Sequence, residues 1–243
     1  MASIAPQIPP REDLLKLAHA ALDNAGDLLA DARLLAQAGS FPRAHALATL
    51  ACEELGKEHQ CLRALSWPLS PQAFWGSFKR HKDKLEHAHA QSMLHSDEPI
   101  RSPDLFNTRV REQTRFAHER KLRGLYVDYA DGALQLPGHI TEQEARQLIH
   151  LAQEELDRDR EEWAEQVEKA NWLSQFSPTG RAIWIAWIYW AVYTHPEMTI
   201  TALRAGTFAA VLIDLAPQFE QELRSAGSIS ALLETAAKPA SAR

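Results

Sequence analysis

Only two cysteines, Cys52 and Cys61, and only ten glycines occur among the 243 residues. The cysteines fall on one expected helix, too far apart along its axis to bridge each other, so both are read as reduced, buried thiols. The glycines form no phosphate-cradling loop, and no segment repeats at a fixed period. Alternating β-branched runs are nearly absent, which argues against a sheet. The most apolar run, "AIWIAWIYWAVY" at 182–193, holds twelve uncharged residues. A bilayer span needs ~20, so the run is expected to be a buried helix or a subunit interface. The start "MASIAPQIPPRED" has no basic segment followed by an apolar run, so no signal peptide is expected. There is no G-x-S-x-G elbow and no C-x-x-C pair. The expectation is a soluble, cytoplasmic chain with no cofactor, no metal and no membrane partner.

What is present is helical periodicity. Arg11 to about Ala38 repeats Leu14, Ala18, Ala21, Ala25, Leu28, Ala32 and Leu35 on one face, and Gly39 is the stop. Ser40 and Pro42 open a second helix, Ser70 and Pro71 a third that runs through "FWGSFKRHKDKLEHAHAQSML". An Arg-rich fourth covers about Asp104 to Tyr126, and "DYADGALQLPGH" reads as a connection. Thr141 and Glu144 make a capping box for a fifth helix to about Ala170. The aromatic helix 181–193 and another over 199–224 follow, then a small-residue tail expected to be mobile. The fold class is all-α: an antiparallel helical bundle over 1–170, with a helical C-terminal extension over 171–243.

Charge is uneven. Lys79 to Arg123 holds eleven Lys/Arg against seven Asp/Glu, while the whole chain carries −6. A basic middle suits an anionic ligand, and it also suits a solvated Arg-rich helix face. The second helix poses the sharper question, because Glu54 and Glu58 fall within the arc of Leu47, Leu50, Ala51, Leu55, Cys61, Leu62 and Leu65. Glu53 and Lys57 sit beside that arc. A carboxylate on a core stripe needs a cation, a metal or a proton, so Glu54 is expected to accept from cations of the third or fourth helix. The alternative is a structural salt bridge at the stripe's margin. Glu86 and His89 form one E-x-x-H, half of a di-iron motif, and no second copy exists. A metal-dependent bundle enzyme is the distant reading.

Three segments in order resemble the AbiV family of abortive-infection proteins: "AHALATLACEELGK" at 44–57, "FWGSFKRHKDKL" at 74–85 and "RKLRGLYVDYADG" at 120–132. The likeness covers about 40–170. It implies a HEPN-like helical bundle used in phage defence, and HEPN proteins are often dimeric, metal-independent ribonucleases with an R-x(4–6)-H motif from each subunit. Arg would grip a phosphate through its planar fork, and His would move a proton near neutral pH. Two stretches match, Arg80–His87 and Arg111–His118, a number that composition alone also generates. On one continuous third helix, Arg80 and His87 would lie together, opposite the stripe of Phe74, Phe78, Lys82, Leu85 and His89. They are therefore the expected catalytic pair, supported by Glu54, His81, Lys82 and Lys84, with Arg111, Arg115 and His118 on an RNA-binding face. His81, Lys82 and Lys84 match the AbiV pattern best and are the other candidates for the site. The implied partners are RNA, a second copy of the chain and a phage-encoded activator protein. The competing function is a non-catalytic HEPN-like module that sequesters a phage or translation-related protein.

Overall fold

The structure, a computed structural model, describes residues 6–67, 69–96, 103–126, 128–130, 133–135 and 140–236. Its elements are α1 (Arg11–Gln37), α2 (Phe41–Ser66), α3 (Pro71–Lys79), α4 (His81–His95), α5 (Pro103–Leu125), β1 (Asp128–Ala130), β2 (Ala133–Gln135), α6 (Glu142–Ser174), α7 (Pro178–Thr194), α8 (Pro196–Arg204), α9 (Phe208–Ala226) and α10 (Ile229–Ala236). The described residues are all-α apart from the antiparallel β1–β2 ladder, whose register pairs position 129 with 134. That ladder lies in the segment expected to be a plain connection. Packing divides the chain into Met1–Ser92 with Val110–Leu173, and Met93–Arg109 with Ser174–Arg243.

The first unit is a helical bundle around α2. Leu22, Ala25 and Leu29 of α1 meet Ala48, Ala51 and Leu55 of α2, Leu85 and Ala88 of α4, and Ile149, Ala152 and Leu156 of α6. A second apolar group joins Leu14, Ala18, Cys61, Leu62, Leu65 and Phe74. Both cysteines are free and buried, and burial raises the Cys61 thiol to about 12. Small residues let the helix axes approach, and α2 has buried residues around most of its circumference. Two glycines mark the closest approaches. A Cβ on Gly56 would lie 1.8 Å from the Lys84 carbonyl oxygen, and one on Gly124 would lie 2.5 Å from that of Pro42. Only a residue without a side chain fits either position.

The capping signals hold with one exception. Ser70 accepts from the Ala73 N–H at 3.1 Å. The box that starts α6 closes both ways, with Thr141 N donating to Glu144 Oε2 at 2.8 Å and Glu144 N to Thr141 Oγ1 at 3.3 Å. The Thr141 N–H, then Arg120, hold the Glu144 carboxyl down at about 2. Ser40 occupies the N-cap of α2, yet its side chain makes no capping bond.

Three expected elements are corrected. The third helix is not continuous: Arg80 is extended, with φ −88 and ψ 122, and separates α3 from α4. The helix expected over 199–224 is broken at Gly206, φ 70, into α8 and α9. The tail is helical through α10 as far as Ala236, and the remaining tail lies outside the described residues. The second unit therefore has its own core. Trp190 of α7 is fully buried with Leu212, Leu215 and Phe219 of α9 and Leu232 of α10, and its indole N–H donates to Glu222 at 2.9 Å. Trp184, Trp187 and Trp190 of the aromatic helix pack with α9 and α10, while Ile183 and Tyr189 are exposed on it. Among the described residues no helix is long and apolar enough to cross a membrane.

Candidate acid–base site

Glu54 is not the interior acceptor. It is half-buried and takes its neighbour Lys57 on the same helix. The role falls to Glu53, 2% exposed, which accepts from Lys121 Nζ of α5 at 2.5 Å and faces His81 Nδ1 of α4 at 2.5 Å. The stripe argument assumed one buried face on α2; because α2 is enclosed by other helices, a residue beside the stripe is buried as deeply as one on it.

His81 begins α4, directly after the extended Arg80, and its side chain is 54% exposed. Glu53 engages one ring nitrogen from inside, and the outer part of the imidazole meets solvent. A buried carboxylate behind an accessible imidazole fixes the ring's tautomer and leaves the other nitrogen for proton transfer. Lys84 is buried one turn on, and its ammonium is held below the usual lysine range, chiefly by burial. His118 of α5 faces the same charges. Burial first, then Lys121 and Lys82, lower its ring, while Glu53 opposes them. Arg111 and Arg115 are exposed, and helical spacing sets them on the same side of α5 as His118.

Arg80 and His87 do not share a helix face, because the break at Arg80 removes the register that placed them together. Arg80 is exposed and pairs with Asp83 at 2.7 Å. His87 turns inward to a small cavity lined by Gln60, Arg63, Phe74 and Ser77. Its ring is held down to about 4 by burial and then by the charges of Arg63 and His59. His89, the other half of the E-x-x-H, bonds Thr114 Oγ1 at 3.0 Å and is likewise lowered to about 4 by burial.

A second group of charges on α2 was missed from sequence. Glu58 and His59 meet Glu155 and Asp159 of α6, and Glu58, His59 and Asp159 each offer a ligand atom within 4.8 Å of the others. Burial, more than any neighbouring charge, raises the Asp159 carboxyl to about 7. The E-x-x-x-D spacing on α6 was the available signal, but only the fold brings it to His59.

The model of the HEPN AbiV family, described as AbiV, matches residues 13–157. The chain belongs to the AbiV family. The match spans all of the elements that build the site, α2, α4, α5 and the start of α6, and makes this an abortive-infection protein of the HEPN type. No curated protein and no solved structure matches the chain. The three AbiV-like segments meet in space: Glu53 comes from the first, His81 and Lys84 from the second, and Lys121 from the third. Gly56 and Gly124, inside the first and third, are the positions where α2 touches its neighbours.

Proposed function

We propose that this AbiV-family chain is a metal-independent endoribonuclease of phage defence, acting as a homodimer and released by a phage-encoded activator. The observation that carries the reading is the Glu53–His81 contact at 2.5 Å, with the outer part of the imidazole open to solvent. His81 takes the proton of an RNA 2′-hydroxyl, and Glu53 stabilises the imidazolium that forms. The imidazolium then returns that proton to the departing 5′-oxygen, and His118 of the Arg111–His118 motif, its ring held down by burial, lies on the phosphate-gripping side of α5. Arg80, Arg111 and Arg115 are exposed cations that grip phosphates, Arg as a planar fork rather than a point charge. Lys82 lies exposed beside them. His87 supports the fold and does not touch RNA.

Attack by the sugar's own hydroxyl leaves a 2′,3′-cyclic phosphate, so DNA is not cut. The test is RNA cleavage by purified protein in EDTA. His81→Ala should lower the rate by ~100-fold or more while helicity is unchanged, and His87→Ala should retain cleavage. Equal loss in both variants would return the site to Arg80 and His87. Equal degradation of DNA rejects the mechanism, and silence with every RNA and activator favours the sequestering module.

A further inference from the structure

Beyond Glu53 on α2, the Glu58–His59 group takes no part in the proposed RNA chemistry. Glu58 is fully buried, Glu155 is 3% and Asp159 4% exposed. His59 Nδ1 lies 2.8 Å from Glu58 Oε2, while its Nε2 lies 3.5 Å from Glu155 Oε1 and 3.4 Å from Asp159 Oδ2. Neither Glu58 oxygen, nor His59 Nε2, Glu155 Oε1 or Asp159 Oδ2, has an aligned hydrogen-bond partner. Arg158 is the cation near Glu155 and Asp159. Buried carboxylates and an imidazole without aligned partners are unfavourable unless a ligand compensates them.

Geometry says what would relieve it. Contacts of 3.4 and 3.5 Å exceed the ~2.7–2.9 Å of a charge-assisted hydrogen bond. They lie near the ~3.4 Å edge that metal–ligand bonds of ~2.1 Å would set between neighbouring ligand atoms, and Glu58, His59 and Asp159 bring ligand atoms within 4.8 Å of one another, with Glu155 3.5 Å from the imidazole. We infer that His59 Nε2, Glu155 and Asp159 hold one divalent transition-metal ion of the zinc type, tying α2 to α6. Glu58 stands behind the imidazole at Nδ1, the place of the carboxylate that orients a metal-bound histidine. The two ligand carboxylates balance the ion's charge, and Arg158 stands near both of them. Nitrogen with carboxylate oxygen is a donor set that suits zinc and its neighbours rather than calcium.

Metal binding is independent of RNA cleavage and is read without it. Chelator-treated full-length protein titrated with Co²⁺ should take about one ion per chain and develop visible d–d absorption. Zn²⁺ should raise its melting temperature. Glu155→Gln and Asp159→Asn should each weaken Co²⁺ binding at least 10-fold, and Glu58→Gln by about 10- to 100-fold. His81→Ala should bind Co²⁺ as the unaltered chain does, so failure of the ribonuclease reading leaves this result intact. No Co²⁺ spectrum together with no Zn²⁺ shift in the unaltered protein overturns the inference. Unchanged Co²⁺ affinity in both Glu155→Gln and Asp159→Asn overturns it as well.

Discussion

Two buried carboxylates on α2, Glu53 and Glu58, meet opposite fates. Glu53 takes a lysine from α5 and a histidine that opens to solvent. Glu58 has only His59, itself surrounded by acids, and no aligned donor. The same residue type on one helix thus gives one buried carboxylate held by cations from two other helices and another that meets only the histidine beside it in sequence, without an aligned donor. Pairing turns a buried charge into an anchor for neighbouring side chains. Lack of pairing turns it into a demand for a ligand.

The sharpest way to break the contrast is Lys121→Ala, which takes from Glu53 the lysine it is bonded to. Chemical denaturation should show a loss of ~3–5 kcal/mol, the usual result of orphaning half of a buried pair. An effect below about 1 kcal/mol would mean that His81 alone satisfies Glu53.

Gly56→Ala tests whether the Glu53 site depends on helix contact. With a backbone oxygen at 1.8 Å, the added methyl must drive α4 from α2, at a cost of about 3 kcal/mol. Gly76→Ala is the control, since nothing lies within 4 Å of its new methyl. It should stabilise α3 by about 0.5–1 kcal/mol in the same assay.

Acid should weaken the α4–α5 side. His89 has a folded value of about 4, below its ordinary 6.5, so the unfolded chain binds the proton first. Its contribution is complete above pH 6.5 and is lost as pH falls from there through 4, a drop of the order of 2 kcal/mol. Melting curves over that range should flatten in His89→Asn, and an unchanged slope would assign the acid sensitivity elsewhere. The smallest effect is Glu54→Ala. Its partner is Lys57 on its own helix, so unfolding should shift by only about 0.5 kcal/mol.

Local signals were legible where the cause is local. The starts of α3 and α6 follow from Ser70 and from Thr141 with Glu144, because a cap is satisfied within its own turn. The break at Arg80 was not, since "SFKRHKDKL" has no proline or glycine beyond Gly76 to announce it. Glu53, His81 and Lys121 could be named as residues but not as partners, and Glu54 was preferred because it lay on the stripe. His87 looked exposed on an unbroken helix, and the break turns it into a cavity wall. The Glu58 cluster escaped because metal spacing was sought within one helix, whereas its acids arrive from α6.

By itself the sequence determined an all-α chain, the capped starts of α3 and α6 and, through three ordered segments, membership of the AbiV family. These depend on residues within a few turns of each other. Tertiary structure decided which carboxylate on α2 is paired, which histidine reaches solvent, and which acids gather around His59. Those outcomes depend on which helices surround α2, and its buried residues run round most of its circumference, so its own periodicity ranks its faces poorly.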